Sequence, residues 1–261
     1  MELTVNGHTV FAATGGKPFD RSQPAAVLIH GAGMDRTVWS LQARYFAHHG
    51  RSVAAADMPA HGRSGGELLT SIEAMADWIE ALIDALGVEQ VALAGHSMGA
   101  FAVLEAAARA PEKVRGLAIL GIGATFDVHD DLLIAAKAND KLAFDLVTSW
   151  GFGTAGHMGG HTSPGLWMMD GGVRLMERAP AGALYADLNA CNVYTGTLDA
   201  AAKIACPTLL LLGNRDRMTP PTSAQLAAAI PDCRTVTLDG CGHMMMIEQP
   251  DPTTDTLATV L

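Results

Sequence analysis

Short apolar runs alternate with longer amphipathic stretches along most of this chain. Continuous apolar runs bounded by glycine, proline or polar residues are typical of strands that are buried on both faces of a sheet. Such runs predict strands at residues 25–30, 52–57, 91–94, 114–120, 208–212 and 234–238. Segment 3–12 predicts an antiparallel hairpin, because Asn6-Gly7 is a favourable turn between two alternating stretches.

The longer stretches carry apolar residues at the spacing of a helix. In segment 71–86 these residues recur every three or four positions, so they share one face. Ser71 suits the N-cap of this helix, and Gly87 suits its C-terminal end. Helices are also predicted at 38–49 and 98–109. Strands that alternate with helices indicate the α/β class, in which a parallel sheet is covered by helices on both faces.

Region 121–206 departs from this alternation and is too long for an ordinary connection between a strand and a helix. Its pattern predicts helices at 130–139, 140–150 and 166–179, with a loop at 151–165. We therefore predict a helical cap over residues 122–196, inserted into an α/β core of residues 1–121 and 197–261. The alternative is that the same region forms an irregular second half of the core.

A candidate nucleophile lies in the string Gly95-His96-Ser97-Met98-Gly99, between a predicted strand and a predicted helix. In this context the G-x-S-x-G pattern is typical of a nucleophile elbow, a sharp strand-to-helix turn that exposes the serine hydroxyl. Ser97 is therefore the candidate nucleophile. The alternative is a glycine-rich turn in which the serine only caps the helix.

A serine hydroxyl needs a general base and a carboxylate that orients the base. His243 follows the last predicted strand in a run of small residues and is the candidate base. Asp216 follows the strand at 208–212, where ligand sites gather in open α/β sheets. Asp127 is the alternative carboxylate, because it follows the preceding strand. The order serine, aspartate, histidine along the chain favours Asp216.

Acyl transfer also needs hydrogen-bond donors for the oxyanion that develops on the carbonyl. The backbone N–H of Met98, at the start of the helix after the serine, is one candidate. The second is the N–H of Ala32 in the loop after the strand at 25–30, with Gly33 as the alternative. His30 and His96 are expected to make structural hydrogen bonds.

Several strings together resemble the α/β-hydrolase superfamily, in particular its esterase, enol-lactonase and cofactor-free haloperoxidase-like branch. They are HGAG at 30–33, DMPAHGRS at 57–64, GHSMG at 95–99, GNRD at 213–216 and GCGHMMMIEQP at 240–250. The resemblance covers the core and leaves out the predicted cap. It implies an eight-stranded, mostly parallel sheet and a Ser-His-Asp triad. Ala60 departs from the pattern, since members often have glycine there.

Four residues are candidates to line the substrate pocket: Gly31, Trp167, Met168 and Met244. Methionine is flexible enough to form an adaptable apolar wall, although core packing is the alternative for these side chains.

A metal site is not expected in the region predicted as the cap. His157 and His161 have the spacing of a helical metal pair, but Gly159 and Gly160 between them argue against a helix. Arg174 and Arg178 are expected to face solvent, so we predict no clamp for a phosphate.

Composition narrows the functional classes further. The 261 residues carry a formal net charge of −10, which opposes nucleic-acid binding. Apolar residues make up 49%, but no run is long enough to span a bilayer, and the N-terminal segment lacks the pattern of a signal peptide. The four cysteines match neither a zinc site nor a dense disulfide framework, so reduced thiols and a cytoplasmic location are expected.

The function predicted from these features is a serine hydrolase that cleaves a small or medium carboxylic ester, thioester or lactone through an acyl-enzyme. No metal or organic cofactor is expected, and the partner is a small-molecule substrate. A monomer and a homodimer both remain open. The alternatives are a C–C bond hydrolase or a perhydrolase on the same triad, and a small-molecule receptor that turns over slowly.

Overall fold

A computed structural model describes residues 1–161 and 165–261. The strands are β1 (Glu2–Val5), β2 (His8–Ala13), β3 (Ala25–Ile29), β4 (Ser52–Ala56), β5 (Val91–His96), β6 (Val114–Leu120), β7 (Thr208–Gly213) and β8 (Cys233–Leu238). Within the described residues they form one eight-stranded sheet in the order β1-β2-β4-β3-β5-β6-β7-β8. β2 pairs antiparallel with β1 and β4, and all other pairs are parallel. The predicted mostly parallel, eight-stranded sheet is therefore confirmed.

Helices cover the sheet and also fill the long segment between β6 and β7. They are α1 (Ser40–His48), α2 (Ile72–Leu86), α3 (Met98–Arg109), α4 (Asp130–Lys137), α5 (Lys141–Gly151), α6 (Thr154–His157), α7 (Met168–Glu177), α8 (Ala183–Val193), α9 (Thr197–Ala201), α10 (Ser223–Ala229), α11 (Met245–Glu248) and α12 (Pro250–Leu257). Short 3₁₀ helices at Arg36–Trp39 and Pro111–Lys113 precede α1 and β6. No helix in the described ranges is both long and apolar enough to cross a membrane.

The core has two halves because successive residues of each strand point to opposite faces of the sheet. Val27 and Leu93 pack on the face covered by α2 and α3. Leu28 and Ala94 pack on the other face, in the apolar cluster that includes residues of α1, α5, α7 and α12. The strands at the centre of the sheet are buried at every position, which explains their continuous apolar runs.

The helices differ from the predicted ones at several boundaries. The helix predicted at 38–49 is split, because the Asp35 side chain caps the 3₁₀ turn Arg36–Trp39 before α1 begins. Asn139 ends the next predicted helix early, since it has a φ of 53° outside the helical region. The predicted loop at 151–165 contains α6, and its residues 162–164 lie outside the described residues. Helices α8 to α12 were not predicted.

All four cysteines are free thiols, as expected from their spacing. Cys191, Cys206 and Cys241 are buried, and Cys233 is half-buried. Burial raises the pKa of each thiol above its usual range, which keeps these groups protonated.

Candidate active site

Ser97 stands alone between the end of β5 and the start of α3. Its φ of 53° and ψ of −120° are rare for a residue with a side chain, and such strain costs about 1 to 2 kcal/mol. The turn is possible because Gly95 and Gly99 have no Cβ. A Cβ on Gly95 would lie 2.2 Å from the Gly99 oxygen, and one on Gly99 would lie 2.5 Å from the His30 oxygen. The chain thus holds the serine in the geometry of an elbow.

His243 and Asp216 meet across the loops that follow β8 and β7. The Nδ1 atom of His243 lies 2.8 Å from Oδ2 of Asp216, and both side chains are buried. Asp216 also accepts hydrogen bonds from the N–H groups of Met218 and Thr219, at 2.7 and 2.9 Å, and from the Thr219 hydroxyl. Burial opposes ionisation of Asp216, but the attraction of His243 and these hydrogen bonds lower its pKa to about 2. Asp216 is therefore a carboxylate at neutral pH.

The hydrogen bond to Asp216 sets the tautomer of His243. Because Nδ1 carries the hydrogen, Nε2 of the neutral ring presents a lone pair. Nε2 is buried and has no hydrogen-bond partner among the described residues. His243 and Ser97 line the same cavity, whose volume is about 20 Å³. The ring is thus arranged to accept a proton inside the cavity that contains the serine.

Backbone contacts fix the position of His243. Its N–H donates to the Gly151 oxygen at 2.6 Å, and its carbonyl accepts from Nε2 of His96 at 3.0 Å. The carboxylate of Glu248 accepts from the N–H groups on both sides of His243, those of Gly242 at 3.1 Å and Met244 at 3.2 Å.

Glu248 also forms a hydrogen bond that links the loop carrying His243 to the region predicted as the cap. The same carboxylate accepts the N–H of Gly153, between α5 and α6, at 2.8 Å. Burial raises the pKa of Glu248, while the three backbone donors oppose this shift. Sequence reasoning missed this residue. The signal available was a single charged residue in the otherwise apolar run after His243.

The buried histidines His30 and His96 make structural hydrogen bonds. Nδ1 of His30 donates to the Gly31 oxygen at 2.9 Å, and Nε2 accepts from the Met58 N–H at 3.1 Å. Burial and the nearby His61 together lower the pKa of His30 to about 4, so the ring is neutral at neutral pH. Burial and the neighbouring His243 likewise hold the pKa of His96 well below its usual range.

In the loop after β3, one backbone N–H near Ser97 makes no hydrogen bond to the described residues. Gly31 and Ala32 line the same cavity as the serine. In the part of the chain that the structure describes, the Ala32 N–H makes no hydrogen bond, whereas the Gly33 N–H donates to Asp187 at 2.8 Å. Met98 is the first residue of α3, so its N–H has no partner inside the helix. Ala32 and Met98 are thus the available backbone donors, and Gly33 is not.

The residues predicted to bind substrate fall around two neighbouring cavities. Gly31 and Met244 line the small cavity at Ser97. Trp167, Met168 and Met244 line a second, mainly apolar cavity of about 470 Å³. Three side chains belong to both cavities and separate them: Met34, Phe152 and Met244. Arg174 and Arg178 lie exposed among the residues around the larger cavity, in agreement with their predicted orientation.

Asp127, the alternative carboxylate, and the pair His157 and His161 lie outside the cavity that contains Ser97 and His243. Asp127 is exposed, in a third cavity of about 420 Å³. His157 donates to the Phe152 carbonyl, and His161 donates to the Ile247 carbonyl. Across residues 1–161 and 165–261, no group of three or more His, Cys, Asp or Glu side chains is arranged to hold a metal.

The chain is similar to several known hydrolases in sequence and in fold. Residues 26–256 match the model of the alpha/beta hydrolase family. A putative non-heme haloperoxidase of Mycobacterium phage D29 is 28% identical over 90% of this chain and 86% of that protein. A pimeloyl-(acyl-carrier protein) methyl ester esterase of Neisseria meningitidis is 30% identical over 85% of this chain and 73% of that protein. The enol-lactonase of Burkholderia xenovorans has the same fold, with a TM-score of 0.87 at 24% identity over 99% of this chain and 98% of that one.

Proposed function

Because the chain belongs to the alpha/beta hydrolase family, we propose that it hydrolyses small or medium carboxylic esters, thioesters or lactones through an acyl-enzyme on Ser97. The observation that carries this proposal is the pairing of His243 with Asp216 at 2.8 Å. This pairing leaves Nε2 of His243 without a partner among the described residues, in the cavity that contains Ser97. A serine hydrolase needs this arrangement of base, carboxylate and exposed hydroxyl.

In the first half of the reaction, the Ser97 oxygen attacks the substrate carbonyl while Nε2 of His243 takes the hydroxyl proton. Asp216 stabilises the resulting imidazolium, and the N–H groups of Ala32 and Met98 bind the oxyanion. The tetrahedral intermediate collapses when the C–O or C–S bond to the leaving group breaks. His243 gives its proton to that leaving group, and the acyl group stays on the serine.

In the second half, a water molecule attacks the acyl-enzyme and loses a proton to Nε2 of His243. The same two backbone donors bind the second oxyanion. Collapse of this intermediate breaks the bond to Ser97, which regains a proton from His243 and releases the carboxylic acid. Every proton moves through one histidine, so the cycle proceeds with the chain's own residues.

Residues 122–196 form the proposed cap, and the 470 Å³ cavity beside the triad is the proposed site for the apolar part of the substrate. Trp167 and Met168 of this region line the cavity together with Met244 and other core residues. Its volume lies within the range of small-molecule sites, so we expect acyl chains of roughly two to eight carbons.

A perhydrolase activity is a second candidate, because one relative is named a putative non-heme haloperoxidase. In that reaction hydrogen peroxide replaces water in the second half-reaction, and the product is a peroxy acid. The first half-reaction is unchanged. Adding peroxide during ester turnover and measuring peroxy acid tests this candidate, and formation of carboxylic acid alone would exclude it.

The test of the proposed function combines labelling with turnover. A fluorophosphonate should modify Ser97 alone, and Ser97→Ala should lose about 10⁴-fold or more of kcat on p-nitrophenyl esters. Steady turnover is expected for an enzyme, whereas a burst followed by near silence would indicate a slow receptor. Labelling of another serine in a fully active Ser97→Ala variant would refute the assignment.

A further inference from the structure

A buried pair of a histidine and an aspartate joins α8 to the loop that follows β4. His61 and Asp187 lie 3.0 Å apart, between Nε2 and Oδ2, and their side chains are 2% and 1% exposed. Taking two charges out of water costs several kcal/mol per ion, so a buried pair needs good geometry and further hydrogen bonds. Both residues lie outside the proposed triad.

Both ring nitrogens of His61 face hydrogen-bond acceptors. Nε2 faces the Asp187 carboxylate, and Nδ1 faces the Pro59 carbonyl at 2.9 Å. Both partners accept hydrogen bonds only, so the ring satisfies both as an imidazolium. Burial lowers the pKa of His61, but the charge and hydrogen bond of Asp187, with the Pro59 carbonyl, raise it above its usual range.

The other titratable groups near His61 are accounted for. The ring of His30 lies 5.0 Å from that of His61 between centroids and is neutral at neutral pH. The carboxylate of Asp57 makes a smaller contribution to raising the pKa of His61; it pairs with Arg36 at 2.7 Å and accepts the N–H of Arg63 at 2.8 Å. Asp187 is therefore the carboxylate that balances the His61 charge.

The same oxygen of Asp187 also holds the loop that carries the proposed oxyanion donor. Oδ2 accepts the Gly33 N–H at 2.8 Å, one residue after Ala32. Gly33 has a φ of 65°, and a Cβ at this position would lie 3.0 Å from Leu184 on α8 and 3.4 Å from Met176 on α7. The loop thus packs against α8 and is hydrogen-bonded to it through the Asp187 carboxylate.

We propose that His61 and Asp187 are positioning residues for oxyanion stabilisation, acting as one charge-neutral pair. Asp187 fixes the Gly33 N–H and so aims the neighbouring Ala32 N–H into the Ser97 cavity. A lone carboxylate next to this loop would repel the negative charge that develops on the substrate oxygen. The His61 imidazolium cancels that repulsion. This inference rests on the proposed function, because it assigns a role within the same reaction.

If His61 and Asp187 had a purely structural role, their substitution should have a different effect. Buried ion pairs are often replaceable by neutral residues with little change in stability. If the pair only packs α8 onto the core, variants that fold should have the kcat of wild type. If the pair serves the oxyanion, kcat should fall and KM should change little, because the interaction acts in the transition state.

The decisive experiment is a double-mutant cycle on a short p-nitrophenyl ester at pH 8. His61→Gln keeps a donor for Asp187 but removes the compensating charge, and kcat should fall by roughly tenfold or more. This is less than the 10²- to 10³-fold cost of removing an oxyanion donor outright. Asp187→Asn keeps an acceptor for Gly33 and should lose less activity. The double variant should recover kcat relative to His61→Gln, because neutrality returns.

Two measurements separate this role from a folding defect and from failure of the proposed function. The affinity of a trifluoromethyl ketone, which forms an oxyanion on Ser97, should fall in step with kcat across the variants. Rates should be compared only among variants with cooperative thermal unfolding, and Asp199→Asn, an exposed site on α9, serves as the control. Multiplicative losses in the double variant, or wild-type kcat in His61→Gln, would overturn the inference. An inactive wild type would instead overturn the proposed function.

A measurement on the wild-type protein covers the case in which no variant folds. Nitrogen-15 imidazole spectra at pH 8 should show both ring nitrogens of His61 protonated, whereas His30 should carry hydrogen on Nδ1 only. A neutral His61 at this pH would leave Asp187 as an uncompensated carboxylate and would overturn the inference without any substitution.

Discussion

Oδ2 of Asp216 lies 2.8 Å from Nδ1 of His243, and both side chains are buried at the carboxyl edge of the sheet. Asp216→Asn would place an amide opposite Nδ1 and favour the wrong tautomer of the histidine. We expect kcat on p-nitrophenyl esters to fall by about 10⁴-fold. Asp127→Asn is the matched control and should retain the wild-type rate. A large loss in Asp127→Asn with an active Asp216→Asn would contradict the assignment.

The low pKa of Asp216 predicts a specific loss of stability in acid. Because the folded-state pKa, about 2, is below the unfolded value, the carboxylate contributes stability above about pH 4. That contribution, on the order of 2 kcal/mol, is lost as the pH falls from about 4 towards 2. The difference in unfolding free energy between wild type and Asp216→Asn should therefore shrink over this range. A difference that stays constant would show that folding does not lower the pKa of Asp216.

Glu248 is expected to support catalysis through the position of His243. In Glu248→Gln an amide group faces at least one of the three backbone N–H donors that the carboxylate now accepts. The loop that carries His243 should become less well fixed. We expect kcat to fall by roughly tenfold, because small misplacements of catalytic groups slow the reaction strongly. Labelling of Ser97 by a fluorophosphonate should slow in parallel. Glu112→Gln, at an exposed site, is the control, and equal labelling rates in both variants would count against this role.

The backbone conformation of Ala60 predicts that Ala60→Gly stabilises the protein. Its φ of 60° lies in the left-handed region, which costs a residue with a Cβ about 1 to 2 kcal/mol. Ala60→Gly removes that strain but adds unfolded-chain entropy of about 0.5 to 1 kcal/mol, so the net effect should be a modest rise in Tm. Ala202→Gly, at an exposed helix end with a φ of −66°, should lower Tm instead. A lower Tm for Ala60→Gly would contradict the proposed strain.

Trp167 and Met168 are expected to select chain length without taking part in the chemistry. Met168→Ala enlarges the apolar cavity, and Trp167→Ala opens its exposed side. Both should shift the optimum of kcat/KM towards longer p-nitrophenyl esters, while fluorophosphonate labelling of Ser97 stays at the wild-type rate. The wild-type optimum should lie at short or medium chains. A maximum at palmitate would contradict the proposed cap over this cavity.

The features predicted from sequence are those that local rules determine. The elbow at Ser97 depends on neighbouring residues such as Gly95 and Gly99, so a five-residue string is sufficient to predict it. The central strands of the sheet could be predicted because strands buried on both faces of a parallel sheet are apolar throughout. The order of motifs along the chain then favoured Asp216 and His243 over other acidic and histidine residues.

The features that sequence reasoning missed depend on contacts between distant positions. Asp187 lies 126 positions from His61 and 154 from Gly33, and no local pattern links them. Helix α8, which carries Asp187, was missed because its buried residues face both core clusters instead of forming one apolar stripe. The contact between this helix and the loop after β3 shows that the Gly33 N–H is already bound by Asp187.

The narrow space at Ser97 has a consequence for stereochemistry. Its volume of about 20 Å³ holds about one water molecule, and Met34, Phe152 and Met244 lie between it and the larger cavity. The carbon next to the reacting carbonyl must sit in this space, whereas the rest of the chain can extend beyond it. We therefore expect an ester with a quaternary carbon there, such as a pivalate, to be hydrolysed more slowly than an unbranched ester of similar size. A single methyl branch meets different side chains in its two orientations, so we expect one enantiomer of a racemic 2-methyl ester to be consumed faster than the other.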